Sequence, residues 1–319
     1  MGARVSEFER RFAQYIGTKY AVMCNSGSSA NLLMVAARTL RHGAGLVVVP
    51  AVGWSTSYSP FQQYGWKLRF VDIDETLCAD STAVWKASTD GDEDTADLIL
   101  GINVLGNSCN YFGWPRRIPV LEDNCEALGA EYFGRKTGSF GEMASHSFYF
   151  AHHITTFEGG MVTTNDAYYY EMLLCLRSHG WTRHLPKDNV LNTEVGQFHF
   201  ILPGYNLRPT EIQAAVGLVQ LDKLDGFVAT RRANAASLPL EKQQEAGESS
   251  WYGFAVDASE KVLRCCETRP VLTANFVKQP VMSYFDYEVC GELKNADALD
   301  NKVMIGNHNE PINWDEVFI

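Results

Sequence analysis

Four short stretches of the chain gather residue types that do chemistry. The first, Asn25-Ser26-Gly27-Ser28-Ser29, stands between an apolar strand pattern and a helical one. A helix N-terminus carries unpaired N–H groups and a partial positive charge, so it suits a phosphate, and Ser28 and Ser29 add hydroxyl donors. Any serine-rich helix cap looks the same, so phosphate binding and plain capping both stand here. The second stretch is Val120-Leu121-Glu122-Asp123-Asn124-Cys125-Glu126. An apolar strand delivers Asp123 at its carboxyl end, where open α/β sheets place ligands. A carboxylate there either keeps a heteroaromatic nitrogen protonated, making the ring an electron sink, or caps the following helix.

The third stretch runs from Ser145 through Ser147-Phe148-Tyr149-Phe150-Ala151-His152-His153 to Glu158-Gly159-Gly160. Adjacent histidines on an extended segment point opposite ways, which makes them poor co-ligands of one metal, and no metal site is expected. One of them is a candidate general base, because imidazole titrates near neutrality; a satisfied structural histidine is the competing reading. The fourth is Gly204-Tyr205-Asn206-Leu207-Arg208-Pro209-Thr210, a loop before a helix with an amide and a guanidinium two residues apart. Arginine suits a carboxylate or phosphate, and a surface position explains it equally well.

The elements that must position these residues alternate between helix and strand. Val5 to Tyr15 reads as an amphipathic helix, Tyr20 to Cys24 as a short strand and Ala30 to Leu40 as a helix. Strand patterns follow at Leu46–Val49, Leu68–Val71, Leu98–Val104 and Ile118–Leu121. Short apolar runs between helices predict a mainly parallel sheet covered on both faces. A helix is predicted from Glu211 to about Leu224, then a polar loop over 238–250, then strands at Trp251–Val256 and Thr268–Leu272. This gives a large domain over 1–222 and a smaller α/β domain over 223–319.

Composition narrows the function classes. Among 319 residues, 27 Lys and Arg face 38 Asp and Glu, for a net charge of −11. No basic run exists, which argues against nucleic acid, while a few local arginines still suffice for a phosphorylated small molecule. No apolar run reaches the roughly 18 residues of a membrane span. The eight cysteines form no CxxC pair and read as reduced thiols of a cytoplasmic protein. Gly2 and Ser6 match a myristoylation pattern by chance, since Val5, Phe8 and Phe12 already form one face of a helix.

Together, in this order and spacing, the four stretches resemble the DegT/DnrJ/EryC1/StrS family of sugar aminotransferases, over about Val5 to Leu224 and more weakly to Asn309. The resemblance implies fold type I of the pyridoxal-phosphate (PLP) transferases, with a shortened C-terminal domain. It implies that Ser28, Ser29 and Ser147 hold the cofactor phosphate and that Trp54 stacks on the ring. Asp123 pairs with the ring nitrogen, and Glu126 approaches the ring hydroxyl. Asn206 reaches the phosphate of a partner subunit, so the active unit is a homodimer. The family reads SFxxxK where this chain reads Ser147-Phe148-Tyr149-Phe150-Ala151-His152. A histidine cannot hold the cofactor covalently but can still move a proton. That substitution, with Ser178-His179-Gly180-Trp181-Thr182-Arg183, Arg269-Pro270, Asn275-Phe276 and Gly306-Asn307-His308, resembles the nucleotide-sugar 3-dehydratase branch.

The implied reaction uses the amine form of the cofactor (PMP). It removes the C3 hydroxyl of a nucleotide-linked 4-keto-6-deoxyhexose, with GDP-4-keto-6-deoxymannose as the expected substrate, in deoxysugar and lipopolysaccharide synthesis. His152 moves the proton, and His179 helps position the substrate. L-Glutamate restores the amine, its carboxylate on Arg208. Three segments are shorter than in relatives: before Val5, between Asp74 and Leu98, and between Arg232 and Trp251. Three rivals stand beside this reading. One is an ordinary aminotransferase using Lys136. Another is the iron–sulfur branch acting on CDP-sugars, whose tight cysteine group Cys265, Cys266 and Cys290 do not reproduce. The third is a catalytically silent homologue that binds a sugar nucleotide or a partner.

Overall fold

The computed structural model describes residues 1–90 and 93–318. Helix α1, Ala3–Ile16, buries Val5, Phe8, Phe12 and Ile16 along one face and ends at Gly17, whose φ of +86° suits glycine. Helix α2, Gly27–His42, begins earlier than the apolar pattern predicts: Ser26 is the cap, so Ser28 and Ser29 lie inside its first turn. Helix α3 spans Ser55–Gln63, α4 Ser81–Ser88 and α5 Ala167–Leu176.

These helices flank an eight-stranded sheet. Its order is Tyr20–Cys24, Gly160–Thr164, Met143–Ser147, Val120–Asp123, Leu98–Ile102, Leu46–Pro50, Lys67–Val71 and Tyr287–Val289. Only the Gly160–Thr164 strand runs antiparallel to its two neighbours; the other pairings are parallel. Every residue of Leu98–Ile102 and Met143–Ser147 is buried, as a sheet covered on both faces requires. The carboxyl ends of seven strands therefore share one edge, which collects Cys24, Pro50, Val71, Ile102, Asp123, Ser147 and Val289.

The helix expected from Glu211 to about Leu224 is two helices, α6 at Glu211–Leu221 and α7 at Leu224–Ser237. A capping box of Thr210 and Gln213 starts α6. Residues 238–250 are irregular, as predicted. Beyond them Gly253–Asp257, Lys302–Gly306 and Thr268–Pro270 form a three-stranded antiparallel sheet, with Phe254, Trp251 and Trp314 in its own core. The chain then lends Tyr287–Val289 back to the edge of the large sheet. Among the described residues no helix is long and apolar enough to cross a membrane. All eight cysteines are unpaired.

Candidate active site

A cavity of about 400 Å³ opens at the shared strand edge. Six residues singled out from the sequence line it: Ser28, Trp54, Asp123, Glu126, Ser147 and His152. At one end the first turns of α2 and α3 converge, and Ser28 Oγ lies 2.8 Å from Thr56 Oγ1. Two glycines allow this approach. A Cβ on Gly27 would come within 2.6 Å of Ser147 Cβ, and one on Gly160 within 2.1 Å of the Ser26 carbonyl oxygen. Trp54, the residue before α3, is half exposed along the wall. Ser29 does not line the cavity; its N–H and hydroxyl are both engaged with Ser26 Oγ, at 3.1 and 2.9 Å.

Asp123 sits at the floor, 4% exposed. Its Oδ2 accepts from Asn31 Nδ2 at 2.8 Å and Ser57 Oγ at 2.6 Å, and its Oδ1 from the Cys125 N–H at 3.1 Å. It does not act as a helix cap, because residues 124–130 form turns rather than a helix. The neighbouring Glu122 turns away and accepts the N–H groups of Gly138, Phe140 and Gly141. It ties that loop to the strand carrying Asp123. Glu126 accepts from the Leu105 N–H at 3.1 Å. Burial pushes its carboxyl up to about 7, against the pull of that N–H and of Arg269.

His152 closes the other end. The segment carrying it is a turn, with the His152 N–H bonded to the Tyr149 carbonyl at 3.0 Å. The extended conformation that would point the two histidines apart is therefore absent, and the rings of both pack on Tyr252, at 5.1 and 5.8 Å. Burial, then the charges of Arg269 and Arg231, push the His152 imidazole down to about 3. His153 is fully buried and joins the two lobes: its ring meets the Ser250 carbonyl, and its own carbonyl accepts from Asn309.

His179, Asn206 and Arg208 do not line this cavity. They lie on two paired loops, where Ser178 bridges to Asn206 and the His179 N–H meets the Tyr205 carbonyl. Next to them Trp181 packs on Phe198 and Phe200, which are 73% and 52% exposed. Lys136 also lies elsewhere; its ammonium pairs with Glu131 and rests over the Tyr15 ring.

The structure adds residues that sequence reasoning missed. Asn31, Thr56 and Ser57 line the same wall; Asn31 stood out only as a polar residue in an apolar helix, and Thr56 and Ser57 looked like ordinary residues of a polar helix start. Tyr252, also missed, and Arg269, which the sequence resemblance named without a role, come from the smaller lobe and line both this cavity and an adjoining one of about 740 Å³. Arg269 forms no ion pair among the described residues; its Nε contacts Met304 Sδ at 3.3 Å.

The sequence pattern of the DegT/DnrJ/EryC1/StrS aminotransferase family matches residues 1–301, and the chain belongs to that family. Within it, the chain is 42% identical to the GDP-4-keto-6-deoxy-D-mannose 3-dehydratase of Yersinia pseudotuberculosis, over 97% of this chain and 87% of that one. It is also 42% identical to the Escherichia coli O55:H7 enzyme of that name, over 99% and 90%. The alignment with the Yersinia enzyme runs over 347 positions although this chain has 319 residues, so the relative carries segments absent here. Among solved structures, the E. coli enzyme with bound hydrated PLP superimposes with a TM-score of 0.92 at 42% identity, covering 99% of this chain and 90% of that one. A mutant GDP-4-keto-6-deoxymannose-3-dehydratase with bound GDP-perosamine gives 0.93 at 41%, covering 99% and 91%. The fold is thus that of the PLP-dependent transferases.

Proposed function

We propose that the chain is a PLP/PMP-dependent nucleotide-sugar 3-dehydratase, a lyase that removes the C3 hydroxyl of a nucleotide-linked 4-keto-6-deoxyhexose. The names of its relatives favour GDP-4-keto-6-deoxymannose as substrate. The observation that carries this reading is His152 in the wall of a cavity that no lysine lines among the described residues.

The residues present fit the cofactor. Asn31 Oδ1 and His152 Nδ1 are buried without partners, and the Gly27 turn would be filled by a Cβ. Ser28, Ser147 and the N–H groups of α2 would hold the phosphate, with Thr56 beside them and Trp54 against the ring. Ser29 serves the same end by securing the cap. When bound, the cofactor supplies an electron sink conjugated to the sugar's C4. Asp123 accepts the ring N–H. Glu126, held near neutrality, can donate to or accept from the ring hydroxyl. His152 is uncharged at physiological pH, so its imidazole is free to take a proton and pass it to the departing hydroxyl. With no covalent tether, the cofactor is held by non-covalent contacts alone, and the phosphate contacts bear more of the binding.

The face carrying His179, Asn206 and Arg208 completes the site of a second copy in a homodimer, Asn206 at the phosphate and Arg208 at the carboxylate of L-glutamate, which restores the amine. Residues 1–222 form the cofactor lobe. Residues 223–319 form the smaller lobe, which lends one strand back to the large sheet. The setting is cytoplasmic synthesis of a surface polysaccharide.

The test is to add PLP and excess L-glutamate and follow the absorbance, then supply GDP-4-keto-6-deoxymannose. Conversion of the aldehyde band to the amine band, 2-oxoglutarate release and loss of the C3 hydroxyl support the reading. Failure to bind PLP overturns it, and a borohydride-reducible bond to a lysine makes the chain an aminotransferase.

A further inference from the structure

Asp123 is held unevenly. Its Oδ2 receives two short side-chain hydrogen bonds, from Asn31 in α2 and Ser57 in α3. Its Oδ1 receives the Cys125 N–H at 3.1 Å and only a long contact from Ser145 Oγ at 3.4 Å. Ser145 Oγ also lies 3.5 Å from the Glu122 carbonyl oxygen and 3.8 Å from the Cys125 thiol, so it has partners other than Oδ1. Asn31 and Ser57 are 4% and 2% exposed, and both line the cavity. The Asn31 amide keeps its NH₂ on Asp123 while its own Oδ1 is buried with no partner. Desolvating a carbonyl with no bond in return is unfavourable, so this arrangement is not explained by stability alone.

We infer that Asn31 and Ser57 are positioning residues that make Asp123 a one-sided acceptor: they occupy Oδ2 and leave Oδ1 for the ring nitrogen of the bound pyridine cofactor. The inference rests on the proposed function. All donors to Asp123 are neutral groups. The other titratable groups near it are the Tyr58 phenol from α3, which donates to the Pro50 carbonyl, and the Cys125 thiol and Glu126 from its own loop. No ion pair involves Asp123 among the described residues. Its orientation toward the ring nitrogen therefore depends on neutral donors.

The experiment loads the full-length protein with PLP enriched in ¹⁵N at the ring nitrogen and follows the nitrogen's NMR shift against pH. In the unaltered protein the nitrogen stays protonated well above the pH at which free PLP loses that proton. Ser57→Ala and Asn31→Leu each lower the midpoint by about one pH unit, the size of one hydrogen bond to a charged group. Ser57→Thr, which keeps the hydroxyl, restores it. Weaker PLP binding with an unmoved midpoint in both variants would mean a merely structural role and would overturn the inference. Absence of PLP binding by the unaltered protein would instead overturn the proposed function, and the inference with it.

Discussion

Two groups of site residues are built in opposite ways. Ser28, Trp54, Asp123, Glu126, Ser147 and His152 converge on one cavity, fixed by strand ends, helix starts and a close glycine contact. His179, Asn206 and Arg208 lie outside it, beside exposed aromatic rings. The first group is complete within one chain. The second has a backbone held firmly, the His179 and Leu207 N–H groups both bonded, yet none of its three residues lines the cavity. On the proposed function, a single fold carries both a cradle and a surface that finishes the cradle of a second copy. That teaches that chain order alone does not say whose site a residue serves.

The largest effect should come from separating the two groups. His152→Ala alone is expected to lower turnover by about 10²- to 10⁴-fold, the scale of a lost general base, with PLP still bound. Asn206→Ala with Arg208→Ala is expected to impair a different subunit from the one that carries it. Mixing the two inactive proteins should then restore about a quarter of the active sites, because half of the reassorted dimers hold one intact pair. Turnover of the mixture measures this. No recovery would mean that the second group serves its own chain, or nothing.

A smaller effect sharpens the cradle itself. Gly27→Ala drives a methyl group into Ser147 and should weaken PLP binding by at least about tenfold, at a stability cost of about 1–3 kcal/mol. Ser28→Ala should weaken it less. Ser29→Ala should act mainly through the cap, since its hydroxyl faces Ser26. Titration by equilibrium fluorescence ranks the three; equal losses at Ser28 and Ser29 would refute the different duties given to them.

Much of the cradle was legible in the sequence because strand ends leave short-range marks. An apolar run ending in Asp123, a serine-rich turn after Cys24 and a histidine where relatives hold lysine each occupy a few consecutive residues. The strand Tyr20–Cys24 appears at the predicted residues, and the first helix within two. The return of Tyr287–Val289 to the large sheet left no mark, since three residues pairing with a strand more than two hundred positions away carry no local periodicity. Tyr252 was missed for the same reason, and Arg269 stood out in the sequence without a role: only the docking of the smaller lobe brings them to the cavity. Asn31 and Ser57 were hidden differently. Each looks like an ordinary helix residue until the partner, Asp123, is in place.

The smallest effect concerns how the two ends of the cradle titrate without ligand. Burial raises the Glu126 carboxyl from its ordinary 4.5 to about 7. The folded state therefore binds that proton more tightly than the unfolded one, and the resulting stabilisation is full below 4.5 and lost as pH rises through 7. His152 has the opposite sign: its imidazole falls from 6.5 to about 3, so its contribution is full above 6.5 and lost as pH falls toward 3. Between 4.5 and 6.5 the two trends oppose each other, which leaves the unaltered protein with a shallow pH dependence in that window. Glu126→Gln removes the first trend, so its melting temperature should climb more steeply from pH 4.5 to 6.5 than that of the unaltered protein. His152→Asn removes the second, and its melting temperature should instead decline over the same range. Parallel melting curves for all three proteins would mean that neither group is withheld from water as the cavity geometry requires.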